Sequence, residues 1–141
     1  MKGNPRPPSR PHYGYLVLFL VVLAIFCSLG LGRFGYSMVL PAMREHLELS
    51  NAQTGRIQSW NLLGYMLTVA FAGALAARIG PRRVIAAALA LVGLSMAATG
   101  LWSRLGAIHA ARFLTGGGGA AANVPAMGLV SAWFAPRRRG L

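Results

Sequence analysis

The chain has 141 residues, 55% of them hydrophobic and only 11% charged, and its mean hydropathy is +0.53. A soluble domain carries about 25% charged residues, so a soluble fold of this size would be left with large exposed apolar patches. The formal charge of +12 would suit a nucleic-acid binder, but the cations punctuate long apolar runs instead of lining one surface, which argues against nucleic acid and makes the lipid bilayer the natural partner.

The leader, residues 1–12, holds Lys2, Arg6 and Arg10 among Pro5, Pro7, Pro8 and Pro11. That composition predicts a disordered tail. The first apolar run, Tyr15–Gly32, continues past Arg33 to Ala42 and predicts a membrane helix over 13–42. A hydrocarbon core about 30 Å thick needs about 20 apolar helical residues. The run's length, and the lack of an A-x-A-like site after it, distinguish it from a cleaved signal peptide. Cys27 inside it is the chain's single cysteine, which excludes an intrachain disulfide and reads as a small buried residue.

After the turn Arg44–Thr54, with Glu45 and Glu48, a second helix is predicted over 55–78. Gln58, Asn61, Tyr65 and Thr68 recur on it at three- and four-residue steps, hence on one face. Such a face either lines a pore or hydrogen-bonds a neighbouring helix. Gly80–Arg83 then leads into a third helix over 83–103. The fourth, over 106–135, is broken only by Arg112 and contains Gly116–Gly119, with Asn123 and Pro125 beyond. A phosphate-binding loop would end in Gly-Lys-Ser/Thr, so the glycines read as close helix packing. The pairs Gly73 and Ala77, Ala86 and Ala90, Gly93 and Ala97, and Gly116 and Ala120 have helical spacing suited to that role.

No run alternates as a barrel strand must. The expected fold is an all-α polytopic membrane bundle of four transmembrane helices, joined by short links that make neighbours antiparallel. Lys2, Arg6, Arg10, Arg78, Arg82, Arg83, Arg137, Arg138 and Arg139 fall on one side, against Arg44, Arg56 and Arg104 on the other. Nine against three predicts a cytoplasmic amino terminus. Tyr13, Tyr15, Trp102 and Trp133 fall near helix ends, where amphipathic rings favour the headgroup region.

Arg33 and Arg112 stand within spans, where an arginine costs about 2.5–3.5 kcal/mol on insertion scales. Counted along the helices, both lie at similar depth in the outer half of the bilayer. The four spans contain no carboxylate, so the missing anion is a solute or a side chain elsewhere. The alternative is that each arginine snorkels or locks backbone carbonyls. The candidate cavity comprises Arg33, Gln58, Asn61, Tyr65, Arg112 and Asn123; His109 reads as interfacial. Nothing in the sequence assembles a metal cluster, a Ser-His-Asp set or a carboxylate pair, so neither an enzyme nor a cofactor is expected.

The stretch Gly73-Ala-Leu-Ala-Ala-Arg-Ile-Gly-Pro-Arg-Arg83, between the second and third spans, resembles the signature loop of the major facilitator superfamily. Arg112-Phe-Leu-Thr-Gly-Gly-Gly-Gly119 through Pro125 is similar to that family's Arg-containing helix. Trp133-Phe-Ala-Pro-Arg-Arg-Arg-Gly140 resembles its following basic loop. Gly32-Arg-Phe-Gly-Tyr36 with Pro41-Ala-Met-Arg44 also looks like a bacterial branch of it. The resemblance implies the amino-terminal portion of a secondary transporter of the bacterial inner membrane, built of two six-helix halves with a small solute near the midplane. Within that reading Arg33 and Arg112 favour a small anionic or carboxylate-bearing solute, and a proton is the candidate coupling ion. The loop signature keeps Gly73, Arg78, Gly80, Arg82 and Arg83, but Ala77 stands where the family has an aspartate and Pro81 where it has a basic residue. In the family that aspartate helps latch the two halves, so the latch is in doubt here. Two other readings stay open. One is a complete four-helix small multidrug-type transporter acting as a dimer, against which Arg33 stands where those proteins use a carboxylate. The other is a non-transporting scaffold or truncation product.

Overall fold

A computed structural model describes residues 11–102 and 104–134, all of which fall in helices or the short turns between them. Most of the leader (1–10) and the basic stretch containing Arg137–Arg139 lie outside the described residues. The first span is one rod in three parts: α1 (Pro11–Ile25), a π-helical stretch (Phe26–Gly35) and α2 (Tyr36–His46). Pro11 opens α1, because its fixed φ and missing N–H suit a first helical turn; the helix therefore starts inside the stretch expected as leader. The π stretch holds Gly30, Gly32 and Gly35, residues with weak α preference. Such wide turns are rare and gather at functional sites.

The turn into α3 (Asn51–Ile79) is built from local chemistry. Arg44 donates through Nε to the Leu49 carbonyl at 3.3 Å, and Glu48 takes a left-handed φ of 49°. Ser50 then caps α3: its Oγ accepts from the Gln53 N–H at 3.2 Å, while Gln53 Oε1 accepts from the Ser50 N–H at 2.8 Å. This reciprocal pair satisfies two donors that a helix start otherwise leaves free. Ser50→Ala is expected to lower stability by about 1 kcal/mol, read as a lower Tm in detergent. Ser59→Ala, which removes only a bond to its own helix at the Gly55 carbonyl, is the neutral control.

α3 and α4 (Pro81–Leu101) are separated by Gly80 alone, at φ 96°, with Pro81 in the first turn of α4. Glycine supplies the backbone that other residues resist, and proline starts the next helix. The rod Gly14–His46, α3 and α4 are each long and apolar enough to cross a membrane. α5 (Leu105–Phe134) is as long as α3, but Arg112, six glycines and Asn123 dilute its apolar character. It runs through the middle of the bundle, between α3 and α4 and against the first span.

That central position follows from its glycines. A side chain at Gly116 would collide with the Asn61 carbonyl of α3, and one at Gly64 with the Phe113 carbonyl of α5. Gly117 faces Thr68, and Gly118 faces Val92 and Ala88 of α4. Lipid gives helices no hydrophobic drive to associate, so close backbone approach must hold them. Gly116 and Ala120 are buried as the spacing predicts, but Gly73, Ala77, Ala86, Ala90, Gly93 and Ala97 are exposed. The reason is rotation about the helix axis. α3 meets its neighbours through Ile57, Asn61, Gly64 and Ala72, and α4 through Val84, Ala88, Val92, Ser95 and Thr99. The outer surface instead carries large apolar side chains such as Phe19, Leu62, Phe71 and Leu94, as a lipid-facing surface must.

Candidate functional site

The π stretch, α3 and α5 meet at a small cleft of about 10 Å³ lined by Arg33, Asn61, Tyr65, Ser28, Thr115 and Gly116. Three of the six predicted cavity residues, Arg33, Asn61 and Tyr65, come together here. The volume is near the room that one water needs. The Arg33 guanidinium carbon lies 5.8 Å from the centroid of the Tyr65 ring, within cation–π range, and its side chain is half-buried. Asn61 donates through Nδ2 to the Arg112 carbonyl at 3.0 Å, tying α3 to α5. Thr115 is joined to Ser95 of α4 through their hydroxyls at 2.7 Å.

Arg112 sits behind this cleft and does not line it. Its side chain is 1% exposed, and its guanidinium carbon stacks 3.7 Å from the centroid of Tyr36, the first residue of α2. Nη1 reaches the Gly32 carbonyl and Nη2 the Thr99 hydroxyl, both at 3.5 Å, and the buried Nε has no partner. Arg112 therefore engages the first span on both sides of Arg33, through the Gly32 carbonyl and the Tyr36 ring. Asn123 accepts at Oδ1 from the Ser28 hydroxyl at 2.9 Å, joining α5 to the π stretch one step from the cleft. Gln58 is half-buried on α3 and is not among the cleft residues. His109 packs on α3, its ring centroid 6.1 Å from that of Trp60.

Several residues that shape this site are not among the cavity residues expected from the sequence. Tyr36, Ser28, Thr99 and Thr115 are ordinary members of apolar runs, and only the pairing of helices reveals that Tyr36 faces Arg112. The spacing of Arg33 and Tyr36 on one helix was the available signal, but it does not say which arginine the ring meets. Gly73, Arg78, Gly80, Arg82 and Arg83 form a separate feature at the α3–α4 turn, with the three arginines exposed.

Over 138 residues, 98% of the chain, the sequence is 30% identical to the 4-hydroxybenzoate transporter PcaK of Pseudomonas aeruginosa. The chain spans about 30% of that relative's length. No solved structure matches the chain. Residues 18–141 match the family model of the Major Facilitator Superfamily, nearly everything after the leader. This multi-pass membrane chain belongs to the Major Facilitator Superfamily.

Proposed function

We propose that these residues form the amino-terminal portion of a secondary transporter for a small carboxylate-bearing solute. The orientation is amino terminus in the cytoplasm and the setting the bacterial inner membrane, as the nine-to-three distribution of cations supports. The observation that carries the solute class is Arg33. It is a half-buried cation at an otherwise uncharged cleft, in a chain whose two carboxylates, Glu45 and Glu48, follow at and beyond the end of the span. A charge inside the membrane needs a partner, and a bound anion supplies one. Tyr65 beside it offers an aromatic face, and Asn61 and Thr115 offer polar groups. The similarity to a 4-hydroxybenzoate transporter points to aromatic carboxylates as the first solutes to test.

In this reading Arg33, Asn61 and Tyr65 touch the solute as the cleft opens, and Arg112 and Asn123 hold the backbone that presents them. In the open cavity Gln58, three residues before Asn61 on α3, joins them. Gly73, Arg78, Gly80, Arg82 and Arg83 shape the inner gate, and a proton is the candidate coupling ion. The test is uptake of labelled 4-hydroxybenzoate by cells making the complete transporter. A charge-assisted hydrogen bond contributes about 1.5–3 kcal/mol, so Arg33→Gln is expected to raise KM for the acid about 10- to 100-fold. Arg33→Lys should recover part of that loss, and the neutral 4-hydroxybenzyl alcohol should respond to neither change. Wild-type KM for the acid in Arg33→Gln would sink the assignment.

A further inference from the structure

Asn123 of α5 is only 6% exposed, and its Oδ1 accepts from the Ser28 hydroxyl at 2.9 Å. Its Nδ2 is buried and has no hydrogen-bond partner. Buried polar side chains are nearly always paired. Turning the amide over does not change the count of groups to be satisfied. The Ser28 hydroxyl also lies 3.3 Å from the Ile25 carbonyl, and its single proton can go to only one of these two acceptors. With the amide reversed, Nδ2 donates to Ser28 Oγ, the hydroxyl proton goes to Ile25, and Oδ1 becomes the end turned away from Ser28. The Ser28 that Asn123 holds is itself a lining residue of the cleft, and so is Gly119, one turn before Asn123 on α5. Ser28 and Arg33 are five residues apart, one step of the π-helical ladder, so they line the cleft one turn from each other. A methyl at Gly119 would sit 3.9 Å from both the Ser28 carbonyl and the Tyr65 ring. The glycine thus leaves the space between Tyr65 and the turn of Asn123 without a side chain.

We infer that Asn123 determines specificity: the end of its amide turned away from Ser28 receives a hydroxyl on the part of the solute remote from the carboxylate. An aromatic acid with its carboxylate on Arg33 and its ring against Tyr65 directs its far edge past Gly119 towards Ser28 and Asn123. A hydroxyl both donates and accepts, so it meets the amide in either orientation. A second carboxylate only accepts and an ammonium only donates, and each would bring a charge to a buried neutral group. The inference rests on the carboxylate reading of Arg33 and adds to it the chemistry of the solute's other end. The hold of Asn123 on Ser28 uses one end of the amide and leaves the other for this purpose.

The experiment is uptake of labelled 4-hydroxybenzoate and labelled benzoate, which differ in that hydroxyl alone, by cells making the complete transporter. The wild type should show a KM for 4-hydroxybenzoate about 2- to 10-fold below that for benzoate, the ratio that one net hydrogen bond supplies. Asn123→Leu is close in size and leaves the Ser28 hydroxyl its Ile25 acceptor. It should bring the ratio of the two KM values to about one, the remaining change being shared by both acids. Gly119→Ala adds a methyl with nothing nearer than 3.9 Å, so it folds; standing before Asn123, it should also narrow the ratio. Ser59→Ala should keep the wild-type ratio. Equal KM values for the two acids in the wild type overturn the inference without any variant. A wild-type ratio in folded Asn123→Leu, or in Gly119→Ala, overturns it as well and leaves the amide as a fastening between α5 and the first span. Failure of the underlying reading looks different. Uptake of neither acid, or an Arg33→Gln variant with wild-type KM for both, refutes the carboxylate at Arg33 and this inference with it.

Discussion

Gly116→Leu is expected to leave no monodisperse protein in detergent, whereas Gly73→Leu and Gly93→Leu behave as the wild type. At Gly116 the added side chain meets the Asn61 carbonyl, and the reciprocal contact is Gly64 against the Phe113 carbonyl. A clash with a flexible side chain can be relieved by a change of rotamer, but a carbonyl inside a helix moves only with the whole helix. Overpacking ordinarily costs about 1–3 kcal/mol, and a backbone obstacle places this site at or above the top of that range. Separating α3 from α5 also stretches the 3.0 Å bond from Asn61 to the Arg112 carbonyl. Interhelical bonds of this kind contribute about 0.6–1.7 kcal/mol in a membrane protein. At Gly73 and Gly93, by contrast, nothing lies within 4 Å of a built Cβ. Fluorescence-detected size exclusion separates the outcomes, and Gly64→Leu should fail with Gly116→Leu. A folded Gly116→Leu, or equal loss in all four, would show that this crossing does not hold the bundle together.

The contrast between those glycines marks what was legible in the sequence. Apolar length and the absence of charge are properties of a run, so the spans could be read without knowing how they pack. Gly80-Pro81 likewise stops one helix and starts the next by local backbone chemistry. Which side of a helix faces inward is a different quantity. It depends on the partner, and six of the eight small residues with packing periodicity turn outward because α3 and α4 are rotated toward α5 through other faces. The π stretch had a partial signal in Gly30, Gly32 and Gly35, but glycine spacing alone does not separate a wide turn from a close packing site. At the site, the resemblance of its span to the family's Arg-containing helix singles out Arg112, but neither depth nor motif says what either arginine touches. The fold separates them: Arg33 borders a cleft, while Arg112 is buried against Tyr36 with its hydrogen bonds at the limit of length.

That difference leads to the other large expected effect. Arg112→Met should melt no lower than the wild type in detergent while losing most transport in the complete protein. The favourable terms at Arg112 are modest. A desolvated cation–π contact contributes about 2 kcal/mol, and its two side-chain hydrogen bonds, at 3.5 Å, exceed the usual 2.7–3.2 Å range. Against them stand a burial cost of about 2.5–3.5 kcal/mol and an unpartnered Nε. Replacing a poorly paired buried charge by an apolar side chain of similar length is often neutral or stabilising. The position of the charge, gripping Gly32 and Tyr36 on either side of Arg33, instead suits it to hold the π stretch in the geometry that presents Arg33. Arg112→Lys should not rescue transport, because a compact ammonium cannot lie flat on Tyr36 while reaching Gly32 and Thr99. If Arg112 acts through Arg33, the two changes are coupled. Adding Arg112→Met to Arg33→Gln should then cost far less than it does alone, a non-additivity above about 0.5 kcal/mol. Additive losses would mean that the two arginines serve transport separately, and a sharply lower Tm in Arg112→Met would make the buried cation a structural fastening and nothing more.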